Sequence, residues 1–251
     1  MSAAVRRLFP LAAMLAVLAL AGIAAAAADS PIPQIDIDPA DQAWAESIVP
    51  ESADLGKGWI ANPATEGGSD SDDSSSDSAW CADGTPNRSD LTATGAAMTP
   101  NFERTDNSSL SSYAIVWQTP DQADADWDRT VTRMPAFLDC LAAVFRGGPK
   151  AVKIVVTAKG PIAFPAVTSR TAAYRITVAI KTTVRVKKKR RTKLSEFANL
   201  DFVLLGNGRA SATITLLWFN RKPLSAAYEQ SLARTIAARM ATDPAAPVPT
   251  P

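Results

Sequence analysis

The chain has 251 residues, of which 47% are hydrophobic and 20% charged, a composition typical of a globular protein with a substantial core. Its formal net charge is +1 at pH 7, a near-zero sum that hides an asymmetry along the chain. It has no histidine and two cysteines, which excludes Ser-His and Cys-His catalysis, His-ligated metals, and a zinc or iron–sulfur site made of cysteines from one chain.

The first 28 residues have the three-part pattern of a secretory signal peptide. Two arginines lie in the short segment Met1–Arg7, Leu8–Ala28 is uncharged and rich in Ala and Leu, and small-x-small sites end at Ala26 and Ala28. No cysteine follows, so a lipoprotein cleavage site is missing. An uncleaved membrane anchor is the alternative, because a segment of this length could just span a bilayer. Both interpretations predict that the rest of the chain is secreted or extracytoplasmic.

Charge is segregated along the exported part. Asp29–Trp80 carries twelve acidic residues and one base, net −11, whereas Cys81–Pro251 carries 23 bases and 13 acids, net +10. Residues 64–78 are predicted to be a disordered acidic loop, because Gly67–Ser78 has no apolar side chain to bury. A calcium-binding EF-hand is not predicted there, since counting from Asp70 the required glycine and final glutamate are both absent.

The first predicted element after the export signal is a short helix. Residues 29–37 form a proline-containing linker, and Pro39–Ile48 is predicted to be helical, with Asp38 as the N-cap. Asp54–Trp59 is predicted to be a turn that delivers an aromatic side chain to a surface.

A strand and a long helix are predicted next. Leu110–Gln118 alternates as a strand, and Thr119 can cap the helix that begins at Pro120. Pro135 is expected to kink or split this helix, and residues 147–149 (Gly-Gly-Pro) end it. Its apolar positions recur every three or four residues and form one predicted buried stripe: Ala123, Trp127, Val131, Met134, Leu138, Leu141 and Phe145.

Strands dominate the following region. Val152–Lys159 alternates, and Ala173–Lys187 places Tyr174 and Ile176 on an apolar face but Arg175 and Thr177 on a polar one, which predicts that one face is packed and the other wet.

A hairpin and a last helix complete the domain. Asn199–Leu205 and Ala210–Phe219 are predicted to form a hairpin across a Gly-Asn-Gly turn. Ser225 can cap the last helix. The predicted buried stripe of this helix is Tyr228, Leu232, Ile236 and Met240.

The order of elements predicts an α+β fold, an antiparallel meander sheet with two long helices packed on it. We expect one domain over residues 38–243, followed by a Pro/Ala-rich tail at 244–251.

Several segments together resemble a known class of exported module. They are Asp54–Trp59, the Cys81…Cys140 spacing, Ala172–Arg175, Asp201–Arg209 and Tyr228–Arg239. The chain is similar in these segments to secreted actinobacterial proteins with a Mog1/PsbP-like α/β/α module, related in layout to lipoprotein and kinase-sensor extracellular domains. The resemblance implies a non-enzymatic exported module and transfers no site residue.

The two cysteines, Cys81 and Cys140, form an even pair in an exported chain, so we expect a disulfide. A redox-active thiol pair is the alternative, but the C-x-x-C spacing typical of it is absent.

The segment Arg185–Lys193 has seven cationic residues in nine and is predicted to be a projecting hairpin tip between two strands. A polyanion, either an anionic wall polymer or an anionic membrane surface, would relieve its charge repulsion. Specific nucleic-acid binding is not expected, because stacking aromatics are scarce nearby. The other interpretation is a solvated tip, neutralised by the chain's own Asp70–Asp77. The candidate polyanion-binding residues are Arg185, Lys187, Lys188, Lys189, Arg190, Arg191 and Lys193.

Three hypotheses of function follow from these patterns. The first is a monomeric, non-enzymatic module of the cell envelope that binds a ligand or a protein partner, without a cofactor or metal. The second is a polyanion or membrane-surface binder that acts through the basic tip. The third, an enzyme using carboxylates, is not predicted, because no acidic pair has a diagnostic spacing. The six tryptophans could line a ligand pocket, although such residues more commonly belong to the core.

Overall fold

The structure, a computed structural model, describes residues 32–62, 81, 84–146, 152–186, 189–219 and 226–244. Of segments 182–186 and 189–196 only the backbone is described. The predicted signal peptide, the acidic loop, the residues that end the long helix, Ser225 and nearly all of the tail lie outside the described residues.

Nine strands in the described residues form one mixed sheet. They are β1 (Gln34–Ile35), β2 (Trp59–Asn62), β3 (Thr92–Met98), β4 (Asn101–Arg104), β5 (Ser109–Trp117), β6 (Val152–Pro161), β7 (Arg170–Val186), β8 (Lys189–Asn207) and β9 (Ala210–Trp218). The strand order is β1-β3-β5-β9-β8-β7-β6, and β4 joins β2 to β5. Strands β6 to β9 are consecutive antiparallel neighbours, which matches the predicted meander. The β1–β3 pair is parallel, so the sheet as a whole is mixed.

The described helices are α1 (Pro39–Ile48), α2 (Ser52–Leu55), α3 (Pro120–Arg146) and α4 (Ala226–Met240). Two predicted N-caps are confirmed: the Asp38 carboxylate accepts from two backbone amides of α1, and Thr119 Oγ1 accepts from the amide of Gln122 at 3.2 Å. Helix α3 runs through Pro135 as one element, so the expected split does not occur.

Helices cover both faces of the sheet. On one face, α1 and α4 pack through residues such as Trp44 and Ile236 against Val203 and Ile214. On the other face, α3 packs through its apolar stripe against alternate residues of the same strands, such as Phe202. Because neighbouring residues of a strand point to opposite faces, these two cores lie on either side of the sheet, which makes three layers.

The predicted wet face of β7 is the main difference from the sequence analysis. Ala173 and Ala179 on that face are buried, and Arg175 pairs there with the fully buried Asp201. Helix α4 packs on this face, so the polar residues of β7 point toward a second layer. The alternation of apolar and polar residues correctly predicted which residues of β7 share a face. It could not distinguish a polar face covered by a helix from a polar face in contact with solvent, because both have the same pattern.

The disulfide between Cys81 and Cys140 is present, with the Cα atoms 5.5 Å apart. It joins the start of segment 84–91 to α3, and two ion pairs hold the same segment to the helix. Arg88 donates to Asp126, which is almost fully buried, at 2.5 Å, and Arg129 donates to both oxygens of Asp90 at 2.6 and 2.7 Å. The segment therefore lies along α3 as a strap with three attachments.

On the sheet face covered by α1 and α4, Arg209 forms ion pairs that join both helices to the sheet. Arg209, in the turn between β8 and β9, donates two hydrogen bonds to Asp41 of α1 and two to Asp243 beyond α4. Hydrogen bonds from Arg209 hold the pKa of Asp41 below its usual range. Because Arg209 is largely buried and its donors are used within the chain, this contact is structural.

Candidate ligand-binding site

At one end of the sheet, polar and aromatic residues form a continuous line across the strands. The pairing registers place Trp59 opposite Arg104, Asn199 opposite Trp218, and Thr177 opposite Asn199. Continuing the β5–β9 register by one residue places Ser108 opposite Trp218. We call this line the end row; its members are Trp59, Arg104, Ser108, Trp218, Asn199 and Thr177.

The end row lies on the face covered by α1 and α4. Its residues have the same parity as Phe102 and Leu216, which belong to the apolar core on that face. It spans five strand spacings from β2 to β7, roughly 24 Å. Strands β2, β4 and β9 end at or beside this row, whereas β7 and β8 continue beyond it.

At the β2 side of the row, three side chains stack. The rings of Trp59 and Tyr228 are 6.3 Å apart and nearly parallel, and the Arg104 guanidinium lies 5.6 Å from the Trp59 ring centre. The Tyr228 hydroxyl donates to the carbonyl of Leu55 at 3.3 Å, and burial raises the pKa of Tyr228 to about 12. The turn predicted at Asp54–Trp59 therefore does deliver an aromatic side chain, which stays half-exposed.

At the β7 side of the row, a second arginine stacks on a second tryptophan. The Arg175 guanidinium lies 5.1 Å from the Trp218 ring centre, and its Nε and Nη2 donate to the two oxygens of Asp201 at 2.6 and 2.5 Å. Glu229, in the first turn of α4, places Oε1 3.9 Å from Nη2 of Arg175. We call Arg175, Asp201 and Glu229 the carboxyl cluster.

Burial sets the protonation of the carboxyl cluster. Asp201 has no exposed surface and Glu229 is 3% exposed. Burial, together with the negative charge of the adjacent Asp201, raises the pKa of Glu229 to about 7. Burial also raises the pKa of Asp201, but the hydrogen bonds from Arg175 oppose this. Near pH 7 the cluster therefore holds one carboxylate, one guanidinium and a carboxyl group that gains or loses a proton.

Two buried polar atoms beside the cluster have no hydrogen-bond partner in the described part of the chain: Oε1 of Glu229 and Nε1 of Trp218. Unsatisfied buried groups are uncommon in folded proteins and cost free energy. By contrast, the side chain of Arg104 in the end row is 33% exposed and that of Arg175 in the carboxyl cluster is 27% exposed, so both groups reach the surface through an arginine.

The basic segment predicted from the sequence lies apart from the end row along β7 and β8. The strands pair as far as Arg185 with Arg190 and Val186 with Lys189. Arg190, Arg191 and Lys193 therefore belong to a strand rather than to a loop, and the strand predicted over Ala173–Lys187 is described as far as Val186. Lys187 and Lys188 lie outside the described residues.

The sequence analysis did not identify the end row or the carboxyl cluster. Trp59 and Trp218 were considered as possible pocket residues, and Arg175 and Asp201 lay in segments noted for a resemblance. The signal that could have found them is Asp201 itself, a charged residue in an otherwise apolar run, Asn199–Leu205, directly opposite an arginine on the preceding strand.

Comparison with known proteins gives few matches. No protein-family model and no curated protein matches the sequence. Among solved structures, the extracellular domain of PknH from Mycobacterium tuberculosis matches with a TM-score of 0.32 and 7% identity, over 59% of this chain and 64% of that domain. The lipid transfer and protein localization domain of human StarD13 (DLC2) matches with a TM-score of 0.14 and 10% identity, over 58% of this chain and 87% of that domain.

These likenesses are weak. This chain matches less than two thirds of the length of the PknH domain. Superpositions at these TM-scores assign no function and no site residue. The Mog1/PsbP-like layout, the actinobacterial origin and the absence of catalysis stay predictions.

Two further features are absent from the residues that the structure describes. In these ranges no helix is long and apolar enough to cross a membrane. The same ranges contain no group of three or more Cys, Asp or Glu side chains that could hold a metal ion.

Proposed function

We propose that this chain is an exported, non-enzymatic binding module of the cell envelope, and that its ligand contacts the end row beside the carboxyl cluster. The observation that best supports this proposal is the presence of two arginine–tryptophan stacks, each built on a tryptophan of the end row and each with a partly exposed arginine side chain. Aromatic rings and arginines are the side chains most enriched where proteins bind partners, because they combine large contact area with directed hydrogen bonds.

The carboxyl cluster favours a functional interpretation over a purely structural one. A buried ion pair is weak evidence for stability, since well-packed apolar residues of similar volume would often stabilise the fold as well. The neighbouring row, Phe102, Leu110 and Leu216, continues directly into Asp201 and Arg175. An apolar core that changes to charged residues at the partly exposed end of a sheet is the arrangement we expect of a binding surface.

Catalysis by the carboxyl cluster is the competing function. A carboxyl group with a pKa of about 7 could act as a general acid or base. A general acid must lie within hydrogen-bonding reach of its substrate, however, and Oε1 of Glu229 is buried beneath Arg175 and α4. We therefore infer that Glu229 changes the electrostatic potential at Arg175 and has no contact with the ligand. The module then binds without catalysis.

The extracytoplasmic location rests on independent features. Disulfides persist in oxidising compartments, and Cys81–Cys140 is such a bond. We propose that the segment 1–28 is a signal peptide cleaved near Ala26 or Ala28, and that the mature protein is a monomer with a Mog1/PsbP-like layout.

The test uses the mature chain and a panel of four defined compounds: maltose, alanyl-alanine, citrate and inorganic phosphate. Binding is measured by the change in melting temperature and in tryptophan fluorescence. Thr177→Ala removes a hydroxyl that donates to Asn199 Oδ1 at 2.8 Å, and Thr235→Ala removes one that bonds only within α4. We expect at least one compound to bind, and Thr177→Ala to weaken it roughly fivefold, the effect of one hydrogen bond of about 1 kcal/mol. Equal binding by both variants, or no binding at all, would contradict the proposal.

A second function is favoured by the pairing of β7 and β8. Strand β6 pairs with β7 as far as Thr182, and β9 pairs with β8 only from Asn199, so the last cross-strand pairs form a two-stranded ribbon beyond their neighbours. The register sets Arg185 opposite Arg190, and like charges in such positions are destabilising. An anionic partner would relieve this repulsion, so the ribbon is a candidate polyanion-binding or membrane-binding surface.

The ribbon is tested by replacing Lys188, Lys189, Arg190 and Arg191 with Gln. We expect wild-type protein to sediment with vesicles of anionic lipid at roughly 0.05 M salt and to be released at roughly 0.5 M, as screening predicts. The variant should stay in solution at both. Variant protein that sediments like the wild type would exclude this second function without affecting the first.

A further inference from the structure

Arg175 is held in one orientation by two neighbours. Its Nε and Nη2 donate to Asp201, and its Cζ lies 5.1 Å from the centre of the Trp218 ring. Its Nη1 has no hydrogen-bond partner among the described residues, and the side chain is 27% exposed. A guanidinium fixed in this way loses little conformational entropy when it binds a further group.

The charges that face Arg175 come from two elements. Strand β8 contributes Asp201 and helix α4 contributes Glu229, while β9 contributes the uncharged Trp218. When Glu229 carries its proton, the guanidinium and the Asp201 carboxylate balance each other. When Glu229 loses the proton, the cluster carries one net negative charge.

We propose that Arg175 binds an oxyanion group of the ligand, a carboxylate or a phosphate, and that loss of the proton from Glu229 weakens this binding. This inference rests on the proposed function of the end row and names the chemistry of its ligand. Guanidinium groups recognise carboxylate and phosphate oxygens through their N–H donors, and Nη1 of this partly exposed side chain is not used by Asp201.

The dependence on pH follows from the position of Glu229. A negative charge 3.9 Å from Nη2 of Arg175 opposes the approach of a second anion to the same guanidinium. Because Glu229 titrates near pH 7, the dissociation constant for the anion should rise between pH 6 and pH 8.5. We expect a rise of roughly fivefold, which corresponds to about 1 kcal/mol.

The experiment titrates the mature chain with citrate and, separately, with inorganic phosphate at constant ionic strength. Tryptophan fluorescence reports binding, because Trp218 lies against Arg175. Wild-type protein should bind at least one of the two probes, more tightly at pH 6 than at pH 8.5. Glu229→Gln should remove the part of this pH dependence that does not come from ionisation of the probe itself. The matched control is Arg129→Gln, which changes an arginine that also holds a carboxylate through two bonds but lies on α3 away from the row.

Replacing Arg175 alone would leave Asp201 buried without its partner, so the double variant Arg175→Gln/Asp201→Asn is used, with circular dichroism to verify folding. A folded double variant that no longer binds, together with an Arg129→Gln variant that binds as the wild type does, supports the proposal. If only the double variant fails to fold, Arg175→Lys decides, since it keeps the charge but lacks the planar fork. Unchanged anion binding in Arg175→Lys, or no anion binding by wild-type protein, overturns the proposal. Binding of maltose or alanyl-alanine alone would overturn it while leaving the proposed function intact.

Discussion

Between the sheet and α4, three charged residues lie beside an apolar core: Arg175, Asp201 and Glu229. Asp201 is fully buried in the middle strands, and its negative charge is tolerated because Arg175 supplies two short hydrogen bonds. For Glu229, Oε1 has no hydrogen-bond partner in the described residues and lies 3.9 Å from Nη2 of Arg175. The two carboxyl groups therefore differ in protonation near pH 7, although they are neighbours.

Glu229 should make the stability of the fold depend on pH. Its pKa rises from an ordinary value of 4.5 to about 7 on folding, so between these values the folded chain holds a proton that the unfolded chain has released. This contribution is fully present below pH 4.5 and is lost as the pH rises through 7. Urea unfolding of wild-type protein should show a loss of about 2–3 kcal/mol from this group between pH 5 and pH 8.

The Glu229→Gln variant should not show this loss, because its side chain does not titrate. The control is Glu46→Gln, which changes an exposed glutamate on α1 and should retain the pH dependence of the wild type. Equal pH dependence in wild type and Glu229→Gln would show that Glu229 is not buried as described.

Asp201→Asn should be strongly destabilising. The substitution leaves the Arg175 guanidinium against a neutral amide in a buried position, and breaking a buried ion pair from one side costs about 3–5 kcal/mol. Asp90→Asn, at an exposed carboxylate that Arg129 also holds through two bonds, should change stability far less. Chemical unfolding at pH 7 measures both. Similar losses in the two variants would contradict the burial of Asp201.

At the scale of elements, the strap along α3 is attached to the helix by the disulfide and by two ion pairs. It contains buried Leu91, but its position is fixed mainly by the disulfide and by Arg88 and Arg129. Gly84 lies so close to α3 that an added Cβ would be 2.5 Å from the backbone of Phe137. The strap therefore depends on close contact with the helix.

Removal of the disulfide should weaken the fold without abolishing it. The Cys81→Ser/Cys140→Ser variant loses a cross-link over a separation of 59 residues, which in the chain-entropy model stabilises a fold by about 4 kcal/mol. Because the two ion pairs of the strap remain, we expect a lower melting temperature but an unchanged circular dichroism spectrum at 25 °C. Thiol titration of the denatured, unreduced wild type should find no free thiol. Two free thiols would contradict the disulfide.

Helix α1 and strand β3 are in contact at Gly95, where a side chain has no space. A Cβ at this position would lie 2.3 Å from the carbonyl oxygen of Asp41 and 2.8 Å from the amide nitrogen of Gln42. Gly95→Ala should therefore displace α1 and lower the free energy of unfolding by about 1–3 kcal/mol, as overpacking does. A glycine-to-alanine control at Gly208 is unsuitable. There is open space around this residue, but its φ of +52° disfavours alanine by itself. Ala40→Ser, at an exposed position of α1, serves instead and should change stability little.

For the whole molecule, the sequence predicted local features better than the relations between layers. Amphipathic stripes correctly placed α3 and α4, and the Gly-Asn-Gly turn correctly placed the β8–β9 hairpin, because periodicity and turn chemistry are local. The sequence did not predict that helices cover both faces of the sheet. Polar residues such as Arg175 and Thr177 on one face of β7 indicated instead that this face is solvated. The parallel β1–β3 pair depends on contacts distant in sequence, which no local pattern contains.

The candidate site was missed for the same reason. Trp59, Arg104, Trp218 and Thr177 come from four strands, and only the strand order brings them into one row. Glu229 lies in the last helix, next to Tyr228. The apolar stripe of this helix includes Tyr228 but not Glu229, so it does not predict that Glu229 is buried. The burial of a charged residue beside an apolar stripe can be predicted only when the position of the sheet that the helix covers is known.

The most direct test of the end row as a binding surface uses the side-chain indole signals of the tryptophans in two-dimensional 1H–15N NMR spectra. The mature chain is titrated with whichever of the four panel compounds raises the melting temperature most. The account predicts that the signals of Trp59 and Trp218 shift in proportion to occupancy, while that of Trp117, fully buried in a separate apolar cluster, stays in place. Shifts at Trp117 with none at Trp59 and Trp218, or no shift with any compound, would contradict it.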